Sequence, residues 1–345
     1  LGTDARSDGS PSGREGDREV RSVRTGVIGV GHLGRLHARM YHELEEARLV
    51  GVADSDPARA EQVAKEFDCA VYRSSDALLA DVEAVSVAVP TPWHAREGVG
   101  ALDQGVHVLV EKPIAGTLRE ADDLVAAAGR AGCILQVGHV ERFSGAVQAA
   151  LRIADNPRFL ECHRLAGFSP RGSDVAVVLD LMIHDIDIVL HLVKDEVTRV
   201  EAVGVPVLSE NVDIANARLE FRNGAIANLT ASRVSREKMR KIRFFQANTY
   251  VSVDCLGCTT DVYRRGGADN GDAGLRAIAH ERLGVQSQEP LKEEILSFIQ
   301  CIRTSVQPIV SGSVGRAALE IALHVIADIE RRWGSSLRVH EPGDS

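Results

Sequence analysis

The chain's 345 residues suit two domains at roughly 150 residues each, and 44% hydrophobic with 26% charged residues describes a globular protein whose core needs no disulfide or metal staple. A formal net charge of -9 excludes a protein devoted to nucleic acid, and no apolar run reaches the about 18 residues of a membrane span. Only six of the 40 basic residues are lysine, so each lysine carries weight.

Positions 1–21 are polar, lack the apolar stretch of a signal peptide and are expected to form a flexible tail. From Val23 onward, strand and helix patterns alternate. Strands are expected at Val27–Val30, Leu49–Ala53, Ala84–Val89, Val106–Val110 and Cys133–Val137. Leu33, Leu36, Met40 and Leu44 recur at helical spacing, Asp56-Pro57 opens a helix, and Thr117 with Glu120 forms a capping box. This rhythm predicts parallel βαβ units in a doubly wound α/β domain over about 22–142. Beyond it the pattern becomes α+β with a mainly antiparallel open sheet, over about 143–338, before a short tail at 339–345. A helix from Ser144, a strand at Phe159–Leu165 and a long helix at Val177–Val193 come first. Strands at Val197–Val207, Ile214–Phe221 and Ile226–Val234 follow, the last two joined by Asn223-Gly224 as a type I′ hairpin. Three more strands, a Gly/Asp loop at Gly266–Gly274 and helices near Leu291–Arg303 and Ser313–Trp333 complete the chain. The six scattered cysteines read as reduced thiols of a cytoplasmic protein, and Cys255-x-x-Cys258 lacks the second pair a zinc site needs.

Gly29-Val30-Gly31-His32-Leu33-Gly34 fits Gly-x-Gly-x-x-Gly between a strand and a helix. Gly29 permits the tight turn, Gly31 the approach of a pyrophosphate to backbone N–H groups, and Gly34 close helix–strand contact. Asp54 ends the next strand, where an acid accepts from a ribose diol and repels a 2′-phosphate, so NAD is favoured over NADP.

Glu111-Lys112-Pro113 ends the strand at Val106–Val110, at the carboxyl edge where ligands bind; a surface lysine paired with Glu111 is the plain alternative. Asp180, His184, Asp187 and His191 follow helical spacing on an otherwise apolar helix. A buried His with a carboxylate one turn away can serve as a general base. The same pair fits a satisfied core contact, and a metal reading lacks a further ligand cluster.

Gly29–Gly34 followed by His37, Thr91-Pro92 followed by His94, Glu111-Lys112-Pro113 and Asp180-x-x-x-His184 occur in the order and spacing of the Gfo/Idh/MocA oxidoreductases. The chain resembles that family over about residues 23–335. The resemblance implies a Rossmann domain, a substrate domain whose open sheet makes homodimers or homotetramers, and a catalytic set matching Lys112, Asp180 and His184. It adds His32, Leu33, Thr91, Pro92, His94, Glu111 and Lys112 to the cofactor site. Met182 replaces a common Gly, and Trp93 a common Asn. The strings Gln136–Phe143, Phe168–Asp174 and Ala231–Gln246 resemble a narrower branch, the bacterial UDP-N-acetylglucosamine 3-dehydrogenases associated with lipid A synthesis. Residues 233–243 carry six cations against Glu237, a match for a sugar-nucleotide diphosphate or, alternatively, a solvated hairpin face. Glu141, Arg142, Arg164, Arg171, Arg233 and Arg243 join Lys112, Asp180 and His184 as candidate substrate contacts. The expected reaction is NAD-dependent oxidation of a sugar 3-hydroxyl, with His184 oriented by Asp180. The residues leave open which of Lys112 and His184 takes the proton. Oxidation of a free polyol or aldose, and a nucleotide-sensing regulator on the same fold, are the alternatives.

Overall fold

A computed structural model describes residues 21–169, 175–266, 278–285 and 289–333. Its first half alternates β1 (Val23–Ile28), α1 (His32–Glu43), β2 (Ala47–Ala53), α2 (Pro57–Glu66), β3 (Ala70–Tyr72), α3 (Ser75–Leu79), β4 (Ala84–Val87), α4 (His94–Asp103), β5 (His107–Glu111), α5 (Leu118–Ala131) and β6 (Leu135–Gly138). Their parallel sheet runs β3-β2-β1-β4-β5-β6. The order reverses between β1 and β4, which opens a crevice at the carboxyl ends of those strands. Asp56 caps α2 through the N–H groups of Ala58 and Arg59, and the Thr117–Glu120 capping box opens α5. The short β3 and α3 were not legible as elements in the sequence.

The second half contributes α6 (Gly145–Ile153), β7 (Phe159–Leu165), α7 (Ile183–Val193), β8 (Val197–Val205), β9 (Ile214–Phe221), β10 (Ile226–Ser232), β11 (Met239–Gln246), β12 (Thr249–Asp254), β13 (Thr259–Arg265), β14 (Ile278–Leu283), α8 (Pro290–Thr304) and α9 (Gly312–Trp333). The eight-stranded sheet runs β14-β13-β12-β11-β7-β10-β9-β8 and is antiparallel except where β10 pairs with β7. Alternate residues of its strands, among them Leu160, Cys162, Ala217, Leu229, Ile242 and Phe244, form one apolar core with Val147, Ile186 and Val325 of the covering helices. The opposite face carries a ladder of stacked rings, Phe159, Phe245, Tyr250, Tyr263 and His280, one from each of five neighbouring strands.

Two local expectations need correction. The β9–β10 turn is not type I′, which requires positive φ at both central residues. Only Gly224 is left-handed (φ 81°), and its N–H donates to Phe221 O at 2.8 Å, so a three-residue loop ends in a bulge at the glycine. The long helix expected at Val177–Val193 is divided: Val178–Met182 form a wide π-helical turn that leads into α7.

Of the last two helices, α8 returns to the first sheet, and α9 spans both sheets, with Val325 in the second core and Leu319 in the first. Ile295, Phe298 and Ile299 of α8 pack with Met40 and Tyr41 of α1, while Leu319 of α9 joins the core on the sheet's other face. The Val137 N–H also donates to Val310 O beyond β6. Among the described residues, no helix is long and apolar enough to cross a membrane. Arg171, positions 267–274 of the Gly/Asp loop, positions 1–20 and the tail beyond 333 lie outside the described residues.

Candidate active site

The crevice at the carboxyl ends of β1, β2 and β4 holds a cavity of about 940 Å³, lined by Gly29, Gly31, His32, Leu33, Asp54 and Trp93 among others. The three glycines of the turn differ in what they meet. A Cβ on Gly34 would lie 1.8 Å from Gly29 O, and one on Gly29 (φ 81°) would crowd Val89 and Ala88. Those two are required by the protein's own packing. A Cβ on Gly31 would meet nothing within 4 Å, so the room there is left for something else. Gly31 caps α1 without a side-chain hydrogen bond, which leaves the first N–H groups of the helix available to an anion. Asp54 Oδ2 accepts from the Val30 N–H at 2.7 Å and Oδ1 from the Asp56 N–H at 2.8 Å, tying the glycine turn to the end of β2. Arg59 and Arg73 also line this end of the cavity, Arg59 at 3.5 Å from Asp54 Oδ1. Open space at Gly31, an uncapped helix start and a carboxylate at the next strand fit a dinucleotide.

Beside the cavity, Thr91 and Pro92 form a 3-10 turn and Trp93 is exposed, with Arg96 over its ring. His94 was expected to contact the cofactor, but it is buried, and backbone carbonyls face both ring nitrogens: Pro113 O at 2.8 Å and Val89 O at 2.9 Å. It ties together the loops that follow β4 and β5. Glu111 is likewise turned inward. Its Oε1 lies 2.9 Å from His37 Nε2, and its Oε2 accepts from the Lys112 N–H at 3.2 Å. His37 Nδ1 in turn meets Ser86 Oγ at 2.9 Å, and Tyr41 completes the buried chain. Glu111 and His37 therefore set the position of Lys112 rather than touching a ligand.

Lys112 Nζ donates to Asp180 O at 2.7 Å and pairs with Asp180 Oδ1 at 3.4 Å. The expected Asp180–His184 pairing is absent among the described contacts, because in the widened turn Asp180 engages Lys112. His184 Nδ1 is buried with no partner among the described residues. Loss of water, then the positive charge of Lys112 and Arg164, hold the His184 imidazole well below the ordinary histidine range, with His139 and Arg240 adding to the effect. It is neutral at physiological pH, as a base must be. His139, at the end of β6, packs edge-on against His184 with ring centroids 6.0 Å apart, and both its nitrogens are buried without a described partner. His139 lies within the Gln136–Phe143 string, which by itself marks no role for it. Nothing in a lone imidazole of that string signals a neighbour on another helix.

The candidate substrate arginines divide sharply. Arg142 and Asp187 form a fully buried ion pair at 3.2 Å. Arg164, also buried, is held by Asp185 at 2.8 Å and Glu141 at 2.7 Å. Arg233 is buried against Asp213 at 2.7 Å and donates to Val175 O. Arg243 pairs with Glu161 on the sheet face away from the helices. The expectation of substrate contact by Arg142, Arg164, Arg233 and Arg243 is corrected accordingly: three are neutralised inside the protein and the fourth faces the wrong side. The unprotonated His184 can accept a hydroxyl proton, and Lys112, held by Asp180, can donate to the oxygen that loses it.

Residues 23–139 match the model of an oxidoreductase family with an NAD-binding Rossmann fold, and residues 162–249 match the GFO/IDH/MocA C-terminal domain. The chain is 40% identical over 309 residues to UDP-N-acetylglucosamine 3-dehydrogenase of Acidithiobacillus ferrooxidans, covering 89% of this chain and 97% of that one. The solved structure of that organism's UDP-N-acetylglucosamine 3-dehydrogenase GnnA superposes with a TM-score of 0.85, over 90% of this chain and 98% of the other. A myo-inositol 2-dehydrogenase of Thermotoga maritima is 25% identical over 331 residues, 90% of this chain and 97% of that protein.

Proposed function

Since this chain belongs to the Gfo/Idh/MocA family of NAD-binding oxidoreductases, we propose that it oxidises the 3-hydroxyl of a UDP-N-acetylglucosamine-type sugar nucleotide to the 3-keto sugar. The observation that carries this reading is a neutral His184 beside a Lys112 fixed by Asp180, in a chain similar to a sugar-nucleotide 3-dehydrogenase along nearly its whole length. Bound over Gly29–Gly34, NAD supplies the acceptor for the hydride that leaves C3. His184 takes the proton of the 3-hydroxyl onto its imidazole. Lys112 donates to the same oxygen and stabilises the negative charge that grows there, while Asp180 holds the ammonium in place. A regulator that only senses a nucleotide has no use for this set.

The ring ladder on the open face of the eight-stranded sheet supports a homodimer or homotetramer assembled through that face. Six cysteines without a disulfide suit the cytoplasm. The reaction is tested with Lys112→Met and His184→Asn. Each is expected to abolish NADH formation from UDP-N-acetylglucosamine while leaving NAD affinity unchanged, and turnover retained in both contradicts the assignment.

A further inference from the structure

The basic stretch at 233–243 does not act as one patch, because a strand sends alternate side chains to opposite faces. On β11, Ile242 and Phe244 point into the core beneath the helices, whereas Phe245 stacks in the ladder on the other face. Lys241 and Arg243 belong with Phe245, and they pair there with Asp254 and Glu161. Arg240 belongs with Ile242 and shares the side on which α7 carries His184. Register agrees: Arg240 lies directly opposite Arg164 on β7, and directly opposed residues project from the same face.

Two guanidinium groups placed opposite one another repel unless a counter-charge lies between them. Glu141 supplies it. Its Oε1 accepts from Arg164 Nη1 at 2.7 Å and from Arg240 Nη1 at 3.1 Å. The two arginines differ in everything else. Arg164 is buried and also grips both oxygens of Asp185, whereas the Arg240 side chain is 46% exposed and shares an oxygen already in use. Among the described residues, no other side chain takes up Arg240's remaining N–H donors. Its charge also adds, as the smallest of several causes, to holding His184 below the ordinary histidine range. An arginine anchored by one arm, the rest of its planar fork unengaged among the described residues, and linked through Glu141 and Arg164 to Asp185, the residue next to His184, is suited to a phosphate that arrives with the substrate.

We infer that Arg240 binds the diphosphate of the sugar nucleotide, with Glu141 presenting its guanidinium to the cleft and Arg164 fixing Glu141. This deepens the proposed 3-dehydrogenase reading and rests on it for the identity of the sugar, but not for the anion. Arg240 then distinguishes a UDP-linked sugar from the free one. Lys241 and Arg243 take no part, although they are its neighbours in sequence.

The test is calorimetric binding of UDP, without any sugar, to the NAD-loaded protein, alongside steady-state kinetics with UDP-N-acetylglucosamine. In Arg240→Gln, UDP affinity is expected to fall, and the KM to rise, by at least about tenfold, the loss of a charge-assisted contact. NAD affinity and melting temperature are expected to stay at the wild-type values, Arg240→Lys to recover part of the loss, and Lys241→Gln to change nothing. Equal UDP affinity in wild type and Arg240→Gln overturns the inference, and an unchanged UDP affinity with a raised KM assigns Arg240 to the sugar instead. Arg240-dependent UDP binding without NADH formation from UDP-N-acetylglucosamine supports Arg240 as the diphosphate contact and overturns the reaction proposed above.

Discussion

Gly31 and Gly34 are three positions apart in one motif, yet they answer to different constraints. Gly34 has another backbone 1.8 Å from where its Cβ would be, and Gly31 has open space. Gly34→Ala is therefore expected to lower stability by about 1–3 kcal/mol as the turn is forced apart. Gly31→Ala is expected to leave the melting temperature unchanged and weaken NAD about tenfold, by keeping the pyrophosphate from the backbone. Thermal melting with NAD titration checks both. Such roles were legible in the sequence because glycine spacing encodes them. Glu294 was not, since a carboxylate on an amphipathic helix ordinarily reads as a solvated face. In the structure it is buried, neither oxygen has a partner among the described residues, and burial pushes its pKa well above the usual range, with Glu111 and Asp187 adding to the effect. The folded protein holds a proton that the unfolded chain releases. This contribution to stability is whole below the ordinary glutamate range and is lost as pH rises. Between about pH 5 and pH 8 the melting temperature of Glu294→Gln is expected to decline less than that of wild type; parallel profiles contradict the assignment.

Among the elements, α7 shows most clearly what periodicity can and cannot give. Its apolar faces and polar stripe were readable at 3.6-residue spacing, and the strand at Phe159–Leu165 was located to the residue. The π-helical turn was not, because no side-chain pattern distinguishes it from ordinary helix. That turn gives Asp180 to Lys112 instead of His184. The partners of the stripe were also hidden, being set by β6, β7 and the turns around them. Arg142 looked like a ligand contact and is instead the counter-charge that docks α7. Arg142→Met leaves Asp187 buried and unpaired, so it is expected to lower stability by about 3–5 kcal/mol in urea unfolding. Adding Asp187→Leu is expected to restore most of that loss. Strand alternation alone separates Arg240 from Arg243 once β11 is taken to start at Met239.

Across the whole molecule, the alternation of strands and helices disclosed both sheets, but not that α8 returns to the first one or that α9 bridges the two. Amphipathicity shows that a helix has an apolar face, not which sheet will cover it. The return of α8 and the bridging α9 tie the two halves together, and the cleft draws on both. Lys112 and His139 come from the ends of β5 and β6, and Arg164, Arg240 and His184 from the second half. Loss of water, and after it the charge of Lys112 and Arg164, holds His184 below the ordinary histidine range, with Arg240 contributing least. The acid limb of kcat/KM is accordingly expected below the ordinary histidine range, and Arg240→Gln, by removing a cation, is expected to move it upward. A limb unmoved by that substitution separates Arg240 from the base electrostatically. Hydride transfer from C3 of a UDP-linked amino sugar to NAD, as proposed above, is tested by incubating the protein and NAD with UDP-N-acetylglucosamine deuterated at C3, followed by mass spectrometry of the reduced cofactor. NADH heavier by one deuterium and a 3-keto sugar nucleotide are expected; unlabelled NADH, or reduction seen only with free polyols or aldoses, contradicts transfer from C3.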